Sequence, residues 1–513
     1  MEASEIPYQE TNKFSKLVVD YVNANPTIEP FVNHFPTLDN FEKQIIKKKN
    51  HTVNREVLFE ALQQQNSNLS LSNQSQNNIK SLLSKDTFTV TTGHQLCIFT
   101  GPLYFLYKML SAINLAEILQ EKYPRYNFVP IFWMASEDHD FQEINHIHLF
   151  GKEIEWKSEK TGAVGHMNLD GFATVLNELR LVLGTSENAK ELILLFERTY
   201  LEHENLADAT RYLVNELFGE YGLIILDGND KKLKKEIIPI IKKDVSQQGF
   251  VKTIKQCSDQ LAKEYNKQAY VRDINFFKLS EGKRELIKGD ITKMEIEENS
   301  ERFSPNVLLR PLYQETILPN IAYVGGGAEV AYWMQLKTVF EQENIPCPIL
   351  LLRNSAMLLN ESQNKKREKL DFSIADLFLD EHQLQKKFIL SQTEVDISLQ
   401  EEIENMELIY KSILKKTTDI GLQNNIKAQL HKQKKVFKQL EEKLLRLEKK
   451  KNESLLLKIS KLKSNLFPNN SLQERNDNFS SFYLTYGENF IKIIKENLNP
   501  LNPNFVVLIS KDK

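Results

Sequence analysis

The stretch from Thr87 to Asp140 constrains the fold more than any other part of the chain. Thr87-Phe88-Thr89-Val90-Thr91-Thr92 is β-branched and aromatic, the composition of a buried strand. It stops at Gly93-His94-Gln95. Thr100-Gly101-Pro102 then opens a helix, because a Thr ahead of a first-turn Pro is a common helix start. Leu103, Leu106, Tyr107, Leu110, Ile113 and Ile118 keep helical spacing until Pro124. A second strand, Phe128 to Met134, runs straight into Ser136-Glu137-Asp138-His139-Asp140. The order strand, helix, strand predicts two parallel strands with polar residues at both carboxyl ends. In an open parallel α/β sheet, ligands bind at that edge. A turn glycine and a solvated histidine would be the plainer reading. Four titratable residues directly after a strand carrying Trp133 favour an active cleft instead.

Three more segments repeat the pattern. Gly222 to Leu226 reads as a short buried strand closed by Asp227, which could equally hold a ribose or a metal or cap a helix. Ile321 to Val324 reads as another, followed by Gly325-Gly326-Gly327 and a helix bearing Glu329 and Tyr332. Glycines between strand and helix let amides approach a phosphate at the positive end of the helix dipole, although neither the P-loop nor the dinucleotide fingerprint is present. Cys347 to Leu352 is the fifth strand, with Arg353 at its carboxyl end. The predicted fold class is α/β: a Rossmann-like parallel sheet core built on strands near 88–92, 128–134, 223–226, 321–324 and 347–352, with helical insertions. Residues 63–78, polar and of low complexity, are expected to form an exposed loop, and 151–171 a hairpin-like insertion.

From about 360 the character changes. Residues 394–466 are nearly free of Gly and Pro, and apolar residues step by three and four, as in Phe437, Leu440, Leu444 and Leu447. Two helices folding back near Gly421, with a stutter near Lys451, predict a long C-terminal antiparallel coiled coil. An exposed apolar seam of that length calls for a partner, so a homodimer is expected. Residues 427–463 carry thirteen Lys and Arg against four Glu, with Phe437 alone among Phe, Tyr and Trp and no aromatic pattern interleaved with the charge. A solvated coiled-coil face explains that better than nucleic acid. Past Pro468 a last strand, Phe505 to Ile509, returns to the core. The expected domains are residues 1–375, 376–470 and 471–513.

Composition excludes more than it selects. A net charge of −3 over 513 residues argues for neither nucleic acid nor membrane. The acidic N-terminus lacks the features of a signal peptide, and no apolar run reaches spanning length. Cys97, Cys257 and Cys347, odd in number and far apart, suit a reducing compartment. A soluble cytoplasmic protein is expected. Cys97, beside the cleft, could be a nucleophile, but a small buried filler is the preferred reading.

Thr92-Gly93-His94-Gln95 with Thr100-Gly101-Pro102-Leu103-Tyr104, Phe132-Trp133 with Glu137-Asp138-His139-Asp140, and Leu309-Arg310-Pro311 with Gly325 to Tyr332 form a spaced set. It resembles the cysteine ligase family of bacillithiol biosynthesis, BshC, over nearly the whole chain. The resemblance implies a Rossmann-like core with connecting insertions, a dimerising coiled coil and an ADP-sized pocket apart from the main cleft. It also implies addition of cysteine to the amino group of glucosaminyl-malate, the last pathway step. Two positions depart from the family pattern: His94 stands where Gln is usual, and Gly327-Ala328 where Pro-Gly is usual.

Joining a carboxylate to an amine in water requires activation, as an acyl phosphate or acyl adenylate, so ATP or ADP is the expected cofactor. Glu137, Asp138 or His139 is the expected base. Gly93, His94, Gln95, Thr100 and Arg310 are assigned to substrate, with Arg353 as a further polar clamp. Gly325, Gly326, Gly327, Glu329 and Tyr332 are assigned to the nucleotide or phosphate. Two other readings stand behind this one. A metal-dependent hydrolase or transferase would draw ligands from Asp138, His139, Asp140, Glu143, His146 and His148, with His139 and His146 on one face if that segment is helical. A coiled-coil scaffold with a degenerate nucleotide-binding core would have no need of the polar strand ends.

Overall fold

A computed structural model describes residues 1–280, 283–287, 291–392 and 398–510. Residues 394–397 of the expected coiled coil and 511–513 of the expected C-terminal segment lie outside the described residues. The chain forms two compact units. One comprises Met1–Gln9, Lys13–Leu358 and Ser471–Leu508, and the other Glu10–Asn12, Leu359–Asn470 and Ile509–Lys513.

The first unit is built on five parallel strands: β1 (Thr87–His94), β2 (Asn127–Met134), β3 (Ile224–Asp227), β4 (Asn320–Gly325) and β5 (Ile349–Leu352). Their order is β5-β4-β1-β2-β3, every neighbouring pair parallel. All five runs expected from sequence therefore lie in one sheet. Side chains alternate between its faces. Val129, Ile131 and Trp133 join one buried cluster, while Phe132 and Met134 join another with the crossover helix α1 (Tyr104–Lys122). Both faces are covered, which is why the central strands read as uncharged runs rich in β-branched, aromatic and aliphatic residues.

Two local expectations fail. Thr100 does not cap α1. Phe99 (φ 50°), Thr100 (φ 70°) and Gly101 (φ 66°) take left-handed backbone in a short 3-10 turn, and α1 begins at Tyr104 without a side-chain cap. The turn is held from far along the chain. Asn478 Nδ2 donates to Phe99 O at 2.8 Å and Gly101 O at 2.5 Å, and Leu103 N donates to Asp477 O. Nor is 63–78 a loop throughout, since Asn73–Ser81 is a helix capped by Ser72. Two of its polar residues face inward: Ser75 Oγ donates to Gly219 O and Asn78 Nδ2 to Gly222 O, fastening the approach to β3.

The insertion after β2 is a hairpin, His146–Leu149 with Lys152–Glu155, followed by helices from Phe172 to Phe218. A second insertion pairs Phe276–Ser280 with Lys283–Leu286 and Phe303–Pro305 in a three-stranded antiparallel sheet.

In the second unit, α3 (Gln400–Leu414) packs back on α4 (Ile420–Lys451), and α5 (Glu453–Leu466) follows a break at Asn452. The fold-back comes at 415–419, just before Gly421, and the expected seam shift near Lys451 is this break. Ile459, Leu462 and Leu466 are buried. Leu440, Leu444 and Leu447 stay exposed, as do Leu408 and Ile409. Among the described residues no helix is long and apolar enough to cross a membrane.

Candidate active site

A cavity of about 630 Å³ opens at the carboxyl ends of the sheet. Parallel register puts Gly93 opposite Trp133 and His94 opposite Met134, so the loops leaving β1 and β2 start side by side. Gly93, His94, Gln95, Glu137 and Asp138 line the cavity, as do Arg310, Gly326, Gly327, Glu329, Tyr332 and Arg353. Thr100, His139 and Gly325 do not. Thr100 is buried, and its hydroxyl has no partner among the described residues. The His139 side chain is 55% exposed and stands outside the lining, with Nδ1 3.5 Å from Arg284. Asp227 is also outside the lining. Its carboxylate accepts from the Ser136 hydroxyl and from Asn229 N, and Asp230 caps the next helix.

One end of the cavity is acidic. Gln95 Nε2 donates to Asp138 Oδ2 at 2.8 Å and to Glu143 Oε2 at 2.7 Å, so a single amide holds two carboxylates together. Asp138 Oδ1 accepts from His139 N at 2.7 Å. Glu137 pairs with the buried Lys234, which also donates to Asn229 Oδ1 and Glu301 O. That pairing ties Glu137 down and leaves Asp138 and Glu143 as the carboxylates facing one another.

The other end is basic and more deeply buried. Arg310 donates to Gln314 Oε1 at 2.9 Å, Tyr332 OH at 3.3 Å and Tyr323 OH at 3.4 Å, and lies over the rings of Trp133, Tyr323 and Trp333. Arg353 is anchored by Glu474 Oε1 at 2.8 Å, while its Nε finds no partner among the described residues. Arg475 adds a third guanidinium at this end, and the fourth in the lining, Arg284, lies on the acidic side within the fields of Glu137 and Asp138.

The glycine triplet behaves differently from the phosphate cradle expected of it. It leads into α2 (Gly327–Met334), and Glu329 in the first turn folds back so that Gly326 N donates to its Oε2 at 2.8 Å. Lys108 and the Tyr323 hydroxyl hold the same carboxylate. A carboxylate thus sits where the helix end would receive an anion. Burial pushes the Glu329 carboxyl up, but the Lys108 ammonium and these donors outweigh it and leave it below its ordinary value. Gly325 and Gly327 answer to packing. A Cβ on Gly327 would lie 2.7 Å from Val18 Cγ2, and one on Gly325 would lie 3.0 Å from Tyr323 Cε1.

His94 is buried between Tyr104 and Phe105, and its Nδ1 donates to Gln95 O at 3.0 Å. Burial, assisted by Lys108, pushes it down to about 3, so the ring is neutral at pH 7. Burial pushes the Cys97 thiol up to about 12, which makes it a filler and not a nucleophile.

Lys108, Tyr323, Lys234, Arg284 and Arg475 belong to the site and were not assigned to it from sequence, and Glu143 was named only among the candidate metal ligands. Lys108 had a legible signal, being a lone cation inside an apolar helix whose every face is buried. Arg284 and Arg475 arrive from distant insertions and had none. The metal reading also changes: the segment after Asp138 is not helical, so His139 and His146 share no helix face. His146 and His148 lie on the hairpin, outside the cavity.

Two family models cover the chain. "Bacillithiol biosynthesis BshC, N-terminal Rossmann-like domain" matches residues 1–354, and "Bacillithiol biosynthesis BshC, C-terminal coiled-coil domain" matches 356–510. A protein of Christiangramia forsetii is 45% identical, covering 99% of both chains. One of Flavobacterium johnsoniae is 44% identical over 98% of this chain and 99% of its own. One of Bacillus cytotoxicus is 27% identical over 93% of this chain and 94% of its own. All three carry the name "Putative cysteine ligase BshC". With both domains matched and relatives this similar along their full length, the chain belongs to the BshC family of bacillithiol biosynthesis.

Proposed function

We propose that this protein is a cytoplasmic ligase that joins the carboxyl group of cysteine to the amino group of glucosaminyl-malate, completing bacillithiol. The observation that carries this reading is the polarity of the cavity. Asp138 and Glu143, pinned by Gln95, form an acidic end that suits an amine. Arg310, Arg353 and Arg475 form a basic end that suits carboxylates. If ATP is the activating group, Arg353 and Arg475 would face its phosphates, and its cleavage to ADP or AMP would supply the cysteine carboxyl with a phosphate-type leaving group. The amine nitrogen would then displace that group at the carboxyl carbon, with the amine proton passing to Asp138. Glu137, tied to Lys234, orients this loop.

The test is direct. Purified protein with cysteine, glucosaminyl-malate and ATP should release a thiol of bacillithiol mass together with ADP or AMP. Absence of product with and without ATP, alongside an unchanged thiol profile in cells lacking the gene, would refute the reading. The active species is a homodimer joined through the coiled coil, a reading supported by the apolar side chains left exposed along α3 and α4. Light scattering on protein lacking residues 394–466 should report a monomer, and a persisting dimer would place the interface elsewhere.

A further inference from the structure

His146 and His148 are two residues apart on one strand, so both imidazoles project from the same face of the hairpin. Antiparallel register sets Glu153 directly opposite His148, which brings its carboxylate to that face as well. One ligand atom from each of the three lies within 4.8 Å of the others. His148 Nε2 is 3.9 Å from Glu153 Oε2, and the two ring centroids are 5.4 Å apart. The turn is a two-residue connection, Phe150-Gly151, with φ of 51° and 77° at its two positions. Such primed turns hold a hairpin in fixed register.

The surroundings of His146 select a tautomer. Its Nδ1 is 3.1 Å from Asn145 Oδ1. Asn145 in turn spends its Nδ2 on Glu155 Oε1 at 3.3 Å and Trp156 O at 3.2 Å, which fixes the amide with its oxygen toward the ring. That oxygen can only accept, so Nδ1 carries the proton and the lone pair sits on Nε2. An imidazole held at one nitrogen by a carbonyl oxygen, with the other nitrogen open, is the arrangement that protein metal ligands adopt.

We propose that the outer face of this hairpin is a binding site for a divalent transition metal of the zinc type, coordinated by His146, His148 and Glu153 with water in the fourth position. Two imidazoles and one carboxylate suit Zn²⁺, Co²⁺ or Ni²⁺ and are too few and too soft for Mg²⁺ or Ca²⁺. Glu153, whose side chain is 56% exposed, closes the remaining distance by rotation. None of the three residues lines the cavity, so the site is separate from the proposed ligase chemistry. Its effect is to clamp the two strands that continue directly from the loop carrying Asp138 and Glu143.

Tag-free, chelator-stripped, full-length protein should bind one Zn²⁺ per chain in calorimetric titration, give a visible Co²⁺ absorption band, and melt at higher temperature with Zn²⁺ present. Mg²⁺ should do none of these. H148A and E153Q should each weaken Zn²⁺ binding by more than the about 10–100-fold that loss of an outer-sphere partner costs. Replacing an exposed histidine elsewhere, as in H382A, should change nothing. E153Q alters only a surface side chain, so its result does not depend on tolerance of a core change. No Zn²⁺ uptake at submillimolar metal, or uptake that survives both H148A and E153Q, would overturn the proposal.

Discussion

Replacing Lys108 with Met probes the buried charge pair at the base of the cleft. The Lys108 side chain is 6% exposed and that of Glu329 22%. Lys108 Nζ also donates to Gly93 O at 2.7 Å, and Glu329 also accepts from Tyr323 OH at 2.6 Å. Met fills a similar volume, so the main loss is charge. Removing one partner of a buried pair costs about 3–5 kcal/mol, because the other charge is left uncompensated. Unfolding a unit of about 400 residues carries an entropy of about 0.8 kcal/mol/K, so K108M should melt about 4–6 °C lower. Adding E329Q removes the stranded charge while keeping an acceptor for Gly326 N. The double variant should therefore recover at least about 1 kcal/mol relative to the sum of the single losses. The deficit should also depend on pH. Without Lys108, burial raises the Glu329 carboxyl above its unfolded value, so the folded state holds a proton more readily. The gap between K108M and wild type then narrows as pH falls through that raised value. Scanning calorimetry on the four proteins at two pH values decides the matter. Additivity within about 0.5 kcal/mol, with no pH dependence of the gap, would refute the assignment of an ionised pair.

Three further outcomes are expected. His94 is neutral in the fold at about 3 and ordinary in the unfolded chain, so folding loses stability as pH falls from 6.5 toward 3; this amounts to about 2 kcal/mol at pH 5, and H94Q should abolish it in denaturation curves at pH 7.5 and 5. D138N should lower ligation turnover by roughly 10²–10⁴-fold with little change in melting temperature, whereas H139A, outside the cavity, should leave turnover near wild type. G327A drives a Cβ to 2.7 Å from Val18 Cγ2 and should cost about 1–3 kcal/mol, relieved by V18A, while G326A, with no neighbour nearer than 3.5 Å, should be close to neutral in melting temperature.

The sheet was legible because a parallel strand buried on both faces carries no charge and favours β-branched and aromatic residues, and Phe88 to Thr92 and Phe128 to Met134 are written that way. A single crossover helix also makes β1 and β2 neighbours, so the meeting of Gly93 and Gln95 with Asp138 could be anticipated. What escaped was set by partners far along the chain. Thr100 looks like a helix cap until Asn478 holds the preceding carbonyls in a left-handed turn. Ser72 to Asn78 looks like a loop until the carbonyls of Gly219 and Gly222 satisfy its polar side chains. Local propensity cannot register a hydrogen bond across more than a hundred residues. In both places it lost to one.

The glycine triplet shows the same limit at the site itself. Between a strand and a helix, three glycines permit two structures that a sequence cannot separate: amides bared for a phosphate, or backbone drawn close to its own neighbours. Gly325 and Gly327 belong to the second, because Tyr323 and Val18 occupy the space that a Cβ would need. The amide of Gly326 is already spent on Glu329, an acid placed three residues after it. That spacing is the one by which a helix caps itself, and it was visible from the start. Lys108, one helix away, then neutralises the acid and fixes its direction. An incoming anion in this cleft therefore meets a helix end whose charge is already answered. The guanidinium groups that remain in the lining lie one step aside, at Arg353, whose buried Nε has no partner among the described residues, and at Arg475. Of the guanidinium groups at the basic end, Arg310 and Arg353 were placed at the cleft by their positions beside strands, and Arg475, from the returning C-terminal segment, could join them only once the chain was folded.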